Sequence, residues 1–238
     1  MPARVFVDQA LHPDTLIDLP PGPARHVQVL RLQPGDALTL FNGEGGEWSA
    51  RVQQMGRSQV SVQLLGRDPV ERELAQHVTL AVGMPANERM DALVEKATEL
   101  GVSALQPLVC ERSVLRLAGE RAQKRQAHWQ AVAVAACEQS GRTRVPEIAP
   151  VLTLQDWLAS RPVREGVAAC VLDPRATTAA LPAIGAALFL SGPEGGLSDA
   201  ELQSAEAAGL RRVGLGPRVL RADTAPLAVL AHLSLRSA

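Results

Sequence analysis

Apolar and polar positions change rhythm near residue 70. Upstream of it the apolar runs are short and recur with a period of two. Arg4-Val5-Phe6-Val7, Ala37 to Phe41 and Glu47 to Gln53 read as strands. So does Ser58 to Leu65, where Val60, Val62 and Leu64 share one face. Asn42-Gly43-Glu44-Gly45-Gly46 joins the second and third runs as a hairpin link. Pro34-Gly35-Asp36 signals a turn, and Pro20-Pro21-Gly22-Pro23 punctuates the chain before a short segment, Ala24 to Arg31. Residues 1–70 are therefore expected to form a small β-rich domain, a barrel or sheet of short strands.

Arg67 to Gln76 is polar, contains Asp68-Pro69 and reads as a linker. Beyond it, over 74–238, strands alternate with helices. His77 to Val82, Ala104 to Val109, Gly166 to Leu172, Leu188 to Leu190 and Val213 to Leu215 are predicted strands. Glu88 to Leu100 places Leu93, Val94, Ala97 and Leu100 on one helical face and stops at Gly101. Gly119 to Gln139 is a long amphipathic helix, and Thr153 is placed to cap a short one. Ser198-Asp199-Ala200-Glu201 is a capping box opening a helix that ends at Gly209, and Asp223 or Thr224 opens the last helix. This alternation predicts an α/β fold with a parallel sheet covered by helices.

Of the 238 residues, 46% are hydrophobic, enough for a real core, and net charge is −1. Global charge thus points to no polyanion, and its distribution is the more informative feature. Cys110 to Arg144 holds seven basic residues (Arg112, Arg116, Arg121, Lys124, Arg125, Arg142, Arg144) against Glu111, Glu120 and Glu138. Arg211 to Arg221 holds four arginines and no acid. Such segments suit either a directed polyanion surface or solvated helix faces. Arginine dominates, since Lys96 and Lys124 are the sole lysines, and its planar fork suits phosphate. Tyr is absent and Phe scarce, so an aromatic platform for stacking bases is not expected. Cys110, Cys137 and Cys170 have no metal or disulfide spacing and read as reduced core thiols in a cytoplasmic protein. The five histidines are scattered, so no metal is expected. No secretory segment or uncharged apolar run long enough to span a membrane is seen.

Two glycine-rich turns carry the chemistry. Gly192-Pro193-Glu194-Gly195-Gly196 follows one apolar strand, and Gly214-Leu215-Gly216-Pro217-Arg218-Val219-Leu220-Arg221 follows another. Neither is a P-loop, a GxGxxG dinucleotide turn or a GxSxG elbow. As a pair they suggest a pocket lined by backbone groups at strand carboxyl ends; each alone could be an ordinary strand-to-helix turn. Glu138-Gln139-Ser140-Gly141-Arg142-Thr143-Arg144 ends the long helix. It is either a glycine stop with cations favourable to the dipole, or a device presenting Arg142 to an anion.

Six strings, in order along nearly the whole chain, carry a resemblance. They are Arg25-His26 through Leu30-Arg31, Met90 through Val102, Glu111-Arg112-Ser113, Glu138 through Ile148, Leu190 through Gly196, and Leu215 through Arg221. With them the chain resembles the SPOUT-class RNA methyltransferases, in particular the bacterial enzymes that methylate N3 of one uridine near the 3′ end of 16S ribosomal RNA. It departs from them at Ala86-Asn87, where Lys-Gly is usual, and at Ala222-Asp223-Thr224-Ala225, where Thr-Glu-Thr-Ala is usual.

The resemblance implies an amino-terminal PUA-like β-barrel that holds RNA and a carboxyl-terminal parallel-sheet domain threaded as a trefoil knot. It implies a homodimer acting on 16S ribosomal RNA within the small subunit. S-adenosylmethionine would be held by Leu172, Leu190, Gly192, Pro193, Glu194, Gly195, Gly196, Leu215, Gly216, Arg218, Val219, Leu220, Thr224 and Ala225. Uridine N3 becomes a nucleophile only on losing its proton, so such a site must stabilise a uracil anion. Arg142 and Arg221 are the expected residues for that task, because guanidinium does not titrate. Arg4, Arg25, His26, Arg31, Arg112, Arg116, Arg125 and Arg144 are the expected RNA contacts. The rival readings are a non-catalytic RNA-binding protein of this fold, a SPOUT enzyme with another RNA target, and an enzyme acting on a small molecule.

Overall fold

The computed structural model describes residues 2–57, 59–86, 88–161, 165–177, 181 and 185–236. Ser58, where the fourth strand was expected to begin, and Asn87 lie outside them. The chain divides into two units. The first is Met1–Glu73 with Cys137–Val145; the second is Leu74–Ala136 with Pro146–Ala238. The polar linker thus sits at the boundary, and the end of the long helix, with the turn after it, groups with the first unit.

The first unit contains β1 (Ala3–Phe6), β2 (Leu16–Asp18), α1 (Pro21–Val29), β3 (Ala37–Phe41), β4 (Glu47–Met55) and β5 (Val60–Asp68). They form one five-stranded sheet of order β1-β3-β4-β5-β2. β1 runs parallel to β3 and the other pairs are antiparallel. Alternation explains which side is buried: Trp48, Ala50 and Val52 of β4 join Val5, Leu38, Leu40, Val60, Val62 and Leu64 in the core. The short segment expected after Pro20 is helix α1, with Pro21 at its first position. Strand β2 was not anticipated. It is three residues long at a sheet edge, with Leu16 60% exposed, so it lacks the apolar alternation that marks a strand.

The second unit contains β6 (Val78–Gly83), α2 (Glu88–Glu99), β7 (Ala104–Val109), α3 (Gly119–Ser140), β8 (Glu147–Ile148), β9 (Leu152–Thr153), α4 (Leu154–Ser160), β10 (Ala168–Leu172), β11 (Ala187–Ser191), α5 (Asp199–Ala207), β12 (Arg211–Val213) and α6 (Thr224–Arg236). The last turn of α3, from Cys137, belongs to the first unit. The sheet order is β12-β10-β11-β6-β7-β8, with β9 also on β7, and every pair is parallel. β11 is buried throughout, as a strand covered on both faces must be. Among the described residues no helix is long and apolar enough to cross a membrane.

Local signals set the helix ends. α2 closes in a Schellman motif: Val102 N–H donates to Ala97 O and Gly101 N–H to Thr98 O, with Gly101 at φ 92°. Thr153 caps α4 by accepting from Asp156 N–H, and Ser198 and Glu201 form the expected capping box of α5. β12 lies two residues upstream of the predicted Val213 to Leu215. Its parallel register pairs Cys170 with Arg211 and Leu172 with Val213, so two arginines occupy strand positions. The strand ends at Val213, and the next residue, Gly214, packs against the Ala176 carbonyl.

Candidate functional site

Chain order places a switch in the second sheet. From β6 the chain first builds β7 and β8 on one side, then β10, β11 and β12 on the other. Open α/β sheets bind ligands beyond the carboxyl ends of strands near such a switch. A pocket of about 580 Å³ lies there, within the volume range of small-molecule sites. Its walls come from the ends of three strands and the loops they enter: Leu172 to Arg175 from β10, Ser191 to Glu194 with Gly196 and Leu197 from β11, and Val213, Leu215 and Arg218 to Ala222 from β12. Ala225, Asp199, Leu202, Arg89 and Arg112 complete it.

Of the residues expected to hold a cofactor, the structure brings Leu172, Gly192, Pro193, Glu194, Gly196, Leu215, Arg218, Val219, Leu220 and Ala225 into this one lining, together with Arg221. Leu190, Gly195, Gly216 and Thr224 are not in it. Leu190 is fully buried within β11, and Thr224 N–H is turned to the Arg221 carbonyl at the start of α6. Gly195 abuts Arg112: a Cβ there would meet Arg112 Cβ at 2.8 Å, and Arg112 Nη1 donates to Gly195 O at 3.2 Å. Arg112, expected as an RNA contact, is therefore also part of the pocket wall.

The walls are fixed by bonds that sequence spacing does not reveal. Glu194 Oε1 accepts from Ala86 N–H at 2.9 Å and stands 3.8 Å from Arg89 Nη1. Glu201 is buried; besides its capping bond it accepts from Glu111 N–H at 2.8 Å, tying the segment after β7 to α5. Asp173 Oδ1 accepts from Arg175 N–H and Nε, and Arg175 Nη1 donates to Asp199 at 2.8 Å. Lying beside the Arg175 guanidinium holds Asp199 below the ordinary carboxylate range. The lining thus carries Arg89, Arg112, Arg175, Arg218 and Arg221 against Asp173, Glu194 and Asp199. Such mixed charge suits a zwitterionic ligand better than a simple anion. Asp173, Arg175, Ser191, Arg89 and Asp199 escaped sequence reasoning. They end or follow strands or begin helices, and no motif marks them as ligand-binding; Asp199 was legible only as part of a capping box.

Arg142 is not in the pocket lining. It lies in the first unit, 4% exposed, where Nε donates to both Glu73 oxygens at 3.1 and 3.0 Å and Nη2 pairs with Glu73 Oε2. Its carbonyl accepts from Arg4 Nη2 at 3.0 Å. Arg4 in turn pairs with Glu47, lies over the Phe41 ring and also reaches the Gly141 carbonyl, which Arg72 shares. Burial pushes Glu47 up, but hydrogen bonds from Arg72 and Arg4 outweigh it and hold its carboxyl below the ordinary value. The turn after α3 is thus saturated with internal cation contacts, as a helix carboxyl end favours. Glu138 accepts from Phe6 N–H, and His26 Nδ1 lies 3.3 Å from it. Arg144 bonds Glu71, Arg116 bonds the Glu111 carbonyl, and Arg125 lies over Trp129 beside Asp91. Arg25 and Arg31 are exposed on the first unit. Burial pushes the Cys110 and Cys137 thiols up to about 12, which makes both inert.

The chain matches two domain families: the RNA methyltransferase domain over residues 72–234 and the RNA methyltransferase PUA domain over residues 24–65. It is 35% identical to the ribosomal RNA small subunit methyltransferase E of Synechocystis over 87% of this chain and 68% of that one. It is 31% identical to the Bacillus subtilis protein of the same name over 89% and 86%. The crystal structure of a ribosomal RNA small subunit methyltransferase E from Neisseria gonorrhoeae, bound to S-adenosylmethionine, superposes with a TM-score of 0.92 at 34% identity, covering 99% of this chain and 98% of that one. A Legionella pneumophila protein solved in complex with the same cofactor gives 0.93 at 31% identity, with coverage of 99% and 98%. The family expected from the six strings is the family matched, and the chain belongs to the ribosomal RNA small subunit methyltransferase E family.

Proposed function

We propose that this chain methylates N3 of a uridine in the 16S ribosomal RNA of the small subunit, using S-adenosylmethionine held in the pocket beyond β10, β11 and β12. The observation that carries the reading is the meeting of both glycine turns in one cavity, in a chain of this family. The cavity volume and its mixed charge suit a nucleoside joined to an amino acid zwitterion. Leu172, Gly192, Pro193, Glu194, Gly196, Leu215, Arg218, Val219, Leu220 and Ala225 would hold the cofactor, whose bound sulfonium supplies an electrophilic methyl group.

The chain's own task is to expose and charge the base. A target base must leave any stack to reach a recessed pocket. Arg221 is exposed and lines the pocket, so it is the residue proposed to stabilise the uracil anion. Arg142, held by Glu73, is proposed to order the turn after α3. Exposed Arg25, Arg31, Arg112 and Arg116 are proposed to position RNA through phosphates. Knotted threading of the carboxyl-terminal segment, a homodimer and action in the cytoplasm belong to the same proposal.

The test is methyl transfer from tritiated S-adenosylmethionine to small ribosomal subunits lacking the modification, with the labelled nucleotide mapped. Arg221→Ala should slow transfer on the order of 100-fold while still binding S-adenosylhomocysteine. Label at a position other than uridine N3, or an undiminished rate in the variant, refutes the corresponding part.

A further inference from the structure

Two residues of the pocket lining each carry a buried polar atom without a hydrogen-bond partner among the described residues: Ser191 Oγ and Asp173 Oδ2, each in a residue only 3% exposed. They stand at the carboxyl ends of two paired strands: Ser191 is the last residue of β11 and Asp173 follows β10. The β10–β11 register pairs Val171 with Leu190, and its continuation sets Leu172 beside Ser191, so Asp173 follows one residue beyond, past the end of β10. Asp173 is held rigidly. Its N–H donates to Val213 O, its carbonyl accepts from Ala176 N–H, and its Oδ1 is occupied by Arg175. Near Oδ2 stands Arg212 Nη1 at 3.5 Å, without hydrogen-bond geometry, while Arg212 Nη2 is turned to Glu206 at 2.7 Å. Buried oxygens left this way are costly unless a ligand donates to them.

We propose that Asp173 Oδ2 and Ser191 Oγ bind the 2′- and 3′-hydroxyls of the cofactor ribose; this rests on assigning the pocket to S-adenosylmethionine. An ionised carboxylate only accepts, so its ligand must donate. The donors of an adenosyl amino acid are its ammonium, its ribose hydroxyls and its adenine amino group. Asp173 already has two guanidinium groups within ion-pair distance, Arg175 and Arg212, so its charge is balanced. A neutral donor completes it without adding a third cation. The Ser191 hydroxyl both donates and accepts, matching an alcohol, and a ribose diol presents one hydroxyl to each residue. A carboxylate near the carboxyl end of a parallel strand reading ribose is a solution open to this sheet architecture.

The experiment is titration calorimetry with S-adenosylhomocysteine, with 5′-methylthioadenosine, which lacks the amino acid, and with its 2′-deoxy and 3′-deoxy analogues. On the unmodified chain, removing a ribose hydroxyl should weaken binding by roughly 10-fold or more. Asp173→Ala should weaken S-adenosylhomocysteine and methylthioadenosine alike, by about 10- to 100-fold, and leave little further loss for the deoxy analogues. Asp173→Asn, the same shape without the charge, should fall between. Ser191→Ala should remove the penalty for one deoxy analogue only. Deoxy analogues binding the unmodified chain as tightly as methylthioadenosine overturn the proposal. So does an Asp173→Ala loss confined to S-adenosylhomocysteine, which would give the carboxylate to the ammonium. An unmodified chain that binds no S-adenosylhomocysteine instead refutes the cofactor assignment itself.

Discussion

Replacing Gly214 with alanine tests how the pocket is built. Gly214 follows β12 and faces the segment after β10; its φ is not positive, so alanine costs nothing in backbone conformation. The obstacle is contact. An added Cβ would lie 2.2 Å from the Ala176 carbonyl oxygen and 3.1 Å from its carbon, well inside the 3.4 Å of ordinary contact. Both partners are backbone, and Ala176 is pinned by its N–H bond to Asp173 O, so no side chain can swing aside. The two segments must part by about 1 Å, and close-packed interiors resist that. Overpacking of this kind costs about 1–3 kcal/mol. At this chain length that lowers the melting temperature by about 2–4 °C for each kcal/mol. Parting these segments also separates Leu172 and Asp173 from Leu215 and Val219, which line the same pocket. Affinity for S-adenosylhomocysteine should fall on the order of 10-fold, and methyl transfer on the order of 100-fold. Calorimetry and thermal unfolding of Gly214→Ala read both effects. A variant matching the parent to within about twofold in affinity and about 1 °C in melting would refute the claim that this close approach shapes the site.

Glu47→Gln should destabilise the first unit by about 1–3 kcal/mol at neutral pH, because Arg4 and Arg72 lose their carboxylate. The native Glu47 carboxyl is held below its ordinary 4.5, so its contribution is complete above that value and is lost as pH falls through the lower native one. Melting curves of parent and variant should therefore converge on acidification; a gap unchanged down to strongly acidic pH would contradict the assignment. Glu201→Ala removes the reciprocal bond of the capping box and the acceptor of Glu111 N–H. A loss of about 1–2 kcal/mol is expected in denaturant titration, and no shift of the midpoint would refute it.

Much of this protein was legible in its sequence. The period-two apolar positions of Trp48, Ala50 and Val52, and the continuous burial of β11, set which residues face a core. Ser198 with Glu201, Thr153, and the Gly101 stop placed helix ends within a residue or two, because caps act over a single turn of chain. The two glycine turns marked the pocket, since backbone that must approach other backbone excludes a Cβ wherever it folds. What the tertiary structure alone decided is which groups meet. β2 exists because β5 offers it an edge, and β12 begins at Arg211 because β10 fixes the register. Arg142 and Arg221 carry the same charge in the sequence, but one is enclosed by Glu73 and the other lines the pocket. Asp173 and Ser191 share one pocket wall because parallel pairing joins the ends of strands separated along the chain, and pairing across a sheet leaves no trace in local spacing.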